Sequence, residues 1–239
     1  MINICVIGDS QLNAIKGGWD LLEDEYPDLE LTFFGAARKN MGTLEVGSGC
    51  LLSPDPHCTK RMRRSSNGLE TIADDYDAYL LVGLEFGLHA AVYLCMTHRI
   101  ECDEPDDRIP ISDACLERVV EDELRQTISI STVEKLHQIT DAPIAVLPYP
   151  LRCRSDAISI FKRIRETGTD KKVRELADGV ANRLSEEYRF RLFLQPEETL
   201  SSPLGTNSIY SRIKGSNDGH MNSEYGKEVL KVLFSQFPS

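Results

Sequence analysis

No apolar run in the 239-residue sequence approaches the roughly 20 residues that a membrane-spanning helix needs. Positive charge is in short supply: 27 Lys and Arg face 38 Asp and Glu, a formal net charge of −11, which argues against a nucleic-acid backbone as the main partner. The seven cysteines, Cys5, Cys50, Cys58, Cys95, Cys102, Cys115 and Cys153, include no Cys-x-x-Cys pair, so neither a zinc ribbon nor a dithiol redox motif is indicated. Their odd number and scatter point to a reducing, cytoplasmic setting, and Cys5 and Cys95 sit in apolar patterns as small core residues. Met1-Ile2-Asn3 leads straight into a strand pattern with no signal-peptide character. There is no internal repeat and no linker, so a single domain over residues 1–239 is expected.

Ordinary fractions of apolar (41%) and charged (27%) residues describe a globular chain. Apolar runs at Ile2–Gly8, Leu29–Phe34, Ala78–Val82, Pro143–Leu147 and Arg189–Leu194 predict five strands. Helical spacing from near Gln11 to Glu23 (Leu12, Ile15, Trp19, Leu22), and over Leu88–Ile100, Ser155–Glu166, Lys171–Glu187 and Ser223–Phe234, predicts helices between them. A further helical stretch covers Ser112–Thr140, with an interruption near Ser129. Residues 36–77 read as a long polar connection with a short extended piece around Leu44–Leu52, and Glu101–Pro110 as an acidic surface loop. Strands alternating with helices imply an α/β fold in three layers, a flavodoxin-like five-stranded parallel sheet with helices on both faces.

In that arrangement Val6-Ile7-Gly8-Asp9-Ser10 delivers Ser10 to the C-terminal edge of the first strand, where ligands of open α/β sheets bind. A serine at a sharp strand-to-helix turn is exposed, and its N–H joins the unsatisfied donors of a helix start, which favour developing negative charge. An N-cap role for Asp9 or Ser10 is the plainer alternative. At the other end, Ser216-Asn217-Asp218-Gly219-His220-Met221-Asn222 precedes the last helix. A histidine in a polar, glycine-containing loop on the same rim can take the serine proton and return it to a leaving group, with a carboxylate holding its tautomer.

These two blocks resemble the SGNH, or GDSL-type, hydrolase superfamily: Gly8-Asp9-Ser10 its nucleophile block, Asp218-Gly219-His220-Met221-Asn222 its Asp/His block. The resemblance implies Ser10 as nucleophile, His220 as base and Asp218 as the orienting acid, with Ser10 N–H and a glycine N–H after the second strand as oxyanion donors. Gly35 best matches that glycine, and Gly42 is the alternative. It implies a small-molecule or carbohydrate ester as substrate, acetylated sugars among them, and no metal or organic cofactor. The chain departs from the pattern twice. The family's acid stands three residues before the histidine, where this chain has Asn217. Where the family has Gly-x-Asn-Asp after the third strand, this chain has Gly83-Leu84-Glu85-Phe86, so the amide donor is replaced by Glu85. A carboxylate cannot donate to an oxyanion, and losing one such donor costs about 2.7–4 kcal/mol in a serine protease. Either Arg38 or Asn40 supplies another donor, or Glu85 has turned to substrate recognition, or the protein is a weak or inactive relative.

Two other readings compete. Cys58-x5-Arg64-Ser65 has the spacing of the tyrosine phosphatase signature, but the intervening residues are bulky or charged and no strand precedes it. Its basic residues, Lys60 to Arg64, read as a solvated face, with help in holding an anionic substrate as the alternative. A non-catalytic binding module on the same scaffold is the second, because fold alone does not separate it from an enzyme. His89, His98 and His137 lie in helical patterns without i, i+4 partners and read as surface or satisfied helix histidines. Nothing in the sequence selects the oligomeric state.

Overall fold

The computed structural model of the chain describes residues 1–100, 107–153, 159–166, 168–213 and 219–236. Its centre is a parallel sheet of β1 (Ile2–Gly8), β2 (Leu29–Gly35), β3 (Ala78–Val82), β4 (Ile144–Leu147) and β5 (Arg191–Leu192), in the order β2-β1-β3-β4-β5. This is the flavodoxin-like order expected from the alternation of strands and helices. The inner strands β3 and β4 are buried throughout, which is why they read as continuous apolar runs rather than alternating ones.

Alternate residues of each strand feed two separate cores. Ile4, Val6, Leu80, Val82, Ala145 and Leu147 face α1 (Leu12–Trp19) and α9 (Ser223–Gln236). Cys5, Ile7, Tyr79, Leu81, Ile144 and Val146 face the opposite layer, with α3 (Pro56–Ser65), α5 (Asp113–Arg125), α6 (Ile128–Leu136) and α8 (Thr169–Glu187). The period of two in the strands thus produces the three layers. Three more, α2 (Arg38–Met41), α4 (His89–Thr97) and α7 (Ser159–Glu166), complete the α-helices of the described residues.

Several boundaries differ from the sequence expectations. Within residues 36–77 lie α2, α3 and a small antiparallel sheet of Glu45–Val46, Cys50–Leu52 and Ile72–Ala73. The start of α3 is fixed locally: Pro56 occupies its first turn and the Asp55 carboxylate accepts the His57 N–H at 2.9 Å. The break in the 112–140 stretch falls at Gln126–Thr127, because the Thr127 hydroxyl caps α6 by accepting the Ile130 N–H at 3.4 Å. Ser129 is instead buried and donates to the Gly83 carbonyl at 3.2 Å. The helix from residue 89 stops at Thr97, and His98–Ile100 turns extended to pair with Ile109–Ile111. β5 keeps only the two residues that pair with Ala145 and Val146.

The α1 and α9 helices touch backbone to backbone. A Cβ at Gly18 would overlap Gly226 and Lys227, one at Gly226 would overlap the Ala14 carbonyl, and one at Gly17 would overlap the Ser223 hydroxyl. Only glycine permits this approach. Below it, Trp19 and Phe234 meet edge to face with centroids 5.9 Å apart.

Candidate active site

Gly35 pairs with Gly8, Gly8 with Val82, and Val82 with Leu147, so these four residues form one row across the sheet. Two residues further on, the four chains leave the sheet at Ala37, Ser10, Leu84 and Tyr149. The strand order reverses at β1, which makes this rim the topological switch point where ligands of such sheets bind.

Ser10 is exposed in the turn between β1 and α1. The turn is closed from within: the Asp9 carbonyl accepts the Leu12 N–H at 3.1 Å, and Asp9 Oδ1 accepts the Gln11 N–H at 3.2 Å. Asp9 is 4% exposed, and its second carboxylate oxygen accepts the Tyr149 hydroxyl. Neither Asp9 nor Ser10 is the N-cap of α1: that position is Gln11, without a side-chain cap, while Asp9 closes the preceding turn and leaves Ser10 exposed.

His220 is half-buried on the segment that leads into α9. Its carbonyl accepts the Arg212 N–H at 2.9 Å, and the Asn222 N–H donates to the Tyr210 carbonyl at 2.9 Å. Asn222 Oδ1 then accepts the Tyr225 N–H at 3.1 Å, satisfying one of the first donors of the helix. Gly219 has φ +66°, a conformation that favours glycine. The two ends of the chain meet here: Gln11 Nε2 donates to the Gly219 carbonyl at 2.9 Å. The neighbour of Ser10 is hydrogen-bonded to the neighbour of His220. Asp218 and Asn217 lie outside the described residues.

The structure gives partners to the amides of both glycines expected as the second oxyanion donor. The Gly35 N–H donates to Ser65 Oγ at 2.8 Å, and the Gly42 N–H to the Arg38 carbonyl at 3.2 Å, so both amides are already engaged. Ser65 reaches Gly35 because α3 ends against β2, a long-range contact with no local signature. Asn40 is also committed, its amide donating to the Asp55 carboxylate.

Arg38 behaves differently. Its Nε lies 4.0 Å from Asp9 Oδ2 and its Nη1 lies 3.8 Å from Glu85 Oε1, while the guanidinium sits over the Tyr149 ring, 5.3 Å from the centroid. Burial alone would lower the Arg38 pKa, but Tyr149, Asp9 and Glu85 together raise it. Tyr149 is pushed up, by burial first and by its hydrogen bond to Asp9 second, and stays a protonated donor. Glu85 follows Gly83 (φ +73°) and Leu84 (φ +49°) and itself has φ +71°, three consecutive left-handed residues of which two are not glycine. Such non-glycine conformations cost about 1–3 kcal/mol each and cluster at functional sites. A side chain at Gly83 would press on Asp9 Oδ1 at 3.2 Å and on the Tyr149 ring at 3.3 Å.

Tyr149 is the member of this group that sequence reasoning missed. Pro148-Tyr149-Pro150 reads as the end of a strand, and only the shared row with Gly8 places its ring beside Asp9. Arg38, Glu85, Tyr149, His89 and Arg152 line a cleft of about 760 Å³ together with residues that include Tyr93, Glu123 and Thr127. The Arg152 stem would lie 3.7 Å from a side chain at Gly219, so the cleft adjoins the His220 segment.

His89 is a cleft residue and not a surface one: it packs edge to face on Tyr149 with centroids 5.4 Å apart, and burial first, then Arg152 and Arg38, lower its pKa. His137 is a satisfied helix histidine, its Nε2 3.0 Å from the Tyr188 carbonyl. Cys58 does not stand in a phosphate-binding loop. It lies inside α3, fully buried, with its thiol 3.6 Å from Met62 Sδ and its pKa raised by burial. Arg63 on the same helix pairs with Glu70 at 3.2 Å in an exposed setting. Among the described residues no three His, Cys, Asp or Glu side chains group as metal ligands would, and no helix is long and apolar enough to cross a membrane.

No protein-family model and no curated protein matches the chain. Among solved structures it is similar to an extracellular lipase from Streptomyces rimosus, at 11% identity and TM-score 0.47, over 97% of this chain and 99% of that one. It is also similar to the periplasmic domain of a lipopolysaccharide acetyltransferase from Salmonella ser. Paratyphi A, at 13% identity and TM-score 0.48, over 98% and 82%. A GDSL-like lipase from Bacteroides thetaiotaomicron resembles it at 8% identity and TM-score 0.41, over 98% and 86%. Each is a likeness in chain path at low identity, to two lipases and one acetyltransferase.

Proposed function

We propose that the chain is a serine-dependent ester hydrolase or O-acyl transferase of SGNH type, acting on a small acyl ester such as an acetylated sugar. Ser10 Oγ attacks the acyl carbon while its proton passes to His220, and the carbonyl electron pair moves onto oxygen to form the oxyanion. The Ser10 N–H, at the start of α1, stabilises that charge. Collapse re-forms the carbonyl and expels the alcohol, which takes the proton from His220. Water, or a second alcohol in the transferase case, then releases the acyl group by the reverse sequence. Asp218 or a backbone oxygen orients the imidazole.

The observation that carries the reading is the hydrogen bond between Gln11 and Gly219, which ties the Ser10 turn to the His220 segment. The rim at the strand-order reversal and the adjoining cleft support it. A cytoplasmic site of action belongs to the same proposal, supported by the free thiols of Cys5, Cys50, Cys58 and Cys115.

The test is hydrolysis of 4-nitrophenyl acetate by wild type, Ser10→Ala and His220→Ala, with labelling by a fluorophosphonate located by mass spectrometry. Label on Ser10, and turnover lost in both variants, is the expected result. A folded wild type that neither turns over nor labels would instead favour a non-catalytic binding module, the reading that Glu85 and the engaged Gly35 amide support.

A further inference from the structure

We propose that Arg38 supplies the second oxyanion donor of this site, and that Glu85 is the residue that positions it. The inference rests on Ser10 as nucleophile and answers what that reading leaves open. A tetrahedral oxyanion needs more than one donor, yet the Gly35 and Gly42 amides and the Asn40 side chain are engaged elsewhere, and position 85 carries an acceptor.

Arg38 has the geometry for the task. It begins α2 at the rim, one residue past the point where that chain leaves the sheet level with Ser10. Its guanidinium reaches the residue before Ser10 on one side and the cleft on the other. Neither carboxylate exhausts it: at 4.0 and 3.8 Å, Asp9 and Glu85 attract the cation without closing a hydrogen bond, and a guanidinium carries five N–H donors in a rigid fork. With its side chain 56% exposed, it is open to a substrate.

The strained Leu84–Glu85 backbone then has a purpose. Left-handed φ at both residues sets the loop from which the Glu85 carboxylate comes to 3.8 Å from Arg38 Nη1. Asp9 faces the arginine's Nε, Glu85 its Nη1, and the Tyr149 ring its plane, so three groups bias its position. A preorganised cation of this kind needs no reorganisation when charge develops on the substrate oxygen. In the attack step the proton still goes to His220 and the electron pair to oxygen, and Arg38 stays protonated throughout.

Arg38→Ala is expected to lower kcat on 4-nitrophenyl acetate by about 100- to 1000-fold with little change in KM, the loss typical of one oxyanion donor. The melting temperature should not move, and millimolar guanidinium should restore part of the rate. Arg38→Lys should recover only part of it, lacking the fork. Glu85→Gln separates positioning from mere repulsion: a fall in kcat supports positioning, whereas a rise means that the carboxylate only opposes the oxyanion. Glu85→Asn in the Arg38→Ala background should regain activity by returning an amide donor. Unchanged kcat in Arg38→Ala, with fluorophosphonate still labelling Ser10, would overturn the inference and leave the hydrolase reading intact. Failure of the wild type to label would remove both.

Discussion

Gln11 donates from Nε2 to the carbonyl of Gly219 at 2.9 Å, across 208 positions of sequence. The acceptor is a main-chain oxygen beside His220, and the donor follows Ser10, so this bond links the two ends directly. Gln11 is 7% exposed, which keeps water from competing for it. Gln11→Ala is expected to cost about 1 kcal/mol of stability, as a typical hydrogen bond does. Its effect on kcat/KM should be larger, about tenfold, because a small displacement of reacting groups is felt strongly. Urea denaturation and steady-state kinetics on the same sample separate the two effects.

The glycine contact between α1 and α9 holds the same two segments from beneath. Gly226→Ala would place a methyl group into the Ala14 carbonyl, and Gly18→Ala would do so against Gly226. The helices must part, at a cost of about 1–3 kcal/mol for overpacking. Ser10 and His220 precede the two helices, so activity should fall with stability. Gly179 in α8 is the control: nothing lies within 4 Å of a Cβ built there, and Gly179→Ala should stabilise by about 0.5–1 kcal/mol. Thermal melts of the three variants check the contrast.

Buried tyrosines set the alkaline limit. Burial pushes Tyr76 up to about 12 and also raises Tyr79, Tyr149 and Tyr225 above their ordinary value. The folded state therefore keeps protons that the unfolded chain releases near pH 10, and stability, full below that pH, falls as pH rises above it. Chemical denaturation at pH 8, 10 and 11 should show this decline. Tyr225→Phe should flatten it. Among the described residues the Tyr225 hydroxyl has no hydrogen-bond partner, so the same variant should be neutral or slightly stabilising at pH 8.

Cys58 offers a clean negative. Its thiol is enclosed in the core beside Met62, and burial raises its pKa, so it is held as a neutral thiol. Cys58→Ser should retain ester hydrolysis, lose about 1–2 kcal/mol of stability by placing a hydroxyl in an apolar site, and leave any aryl phosphate turnover unchanged. A phosphatase activity abolished by this variant would contradict the structure of α3.

Local signals carried the sequence reading a long way. The strands at Ile2–Gly8 and Ala78–Val82 were legible because inner parallel strands are covered on both faces and read as near-continuous apolar runs, interrupted in the first only by Asn3 near its exposed start. Ser10 and His220 were legible as rim residues because a strand end or a helix start announces itself within a few residues. The start of α3 was equally local, since Asp55-Pro56 is a capping residue followed by proline, but the polar run around it reads as loop. The break at Thr127 has the same character.

What the sequence by itself determined is this periodic framework and the position of Ser10 and His220 next to the starts of its first and last helices. The tertiary structure alone decided who serves whom at the rim. Gly35 gives its amide to Ser65, Asn40 turns to Asp55, Tyr149 meets Asp9, and Arg38 stands between Asp9 and Glu85. Each of these pairs joins residues from different loops, and nothing within one turn of helix or one strand specifies its partner. Their meeting follows from strand register, which aligns Gly35, Gly8, Val82 and Leu147 in one row and so brings four separate loops to a single edge.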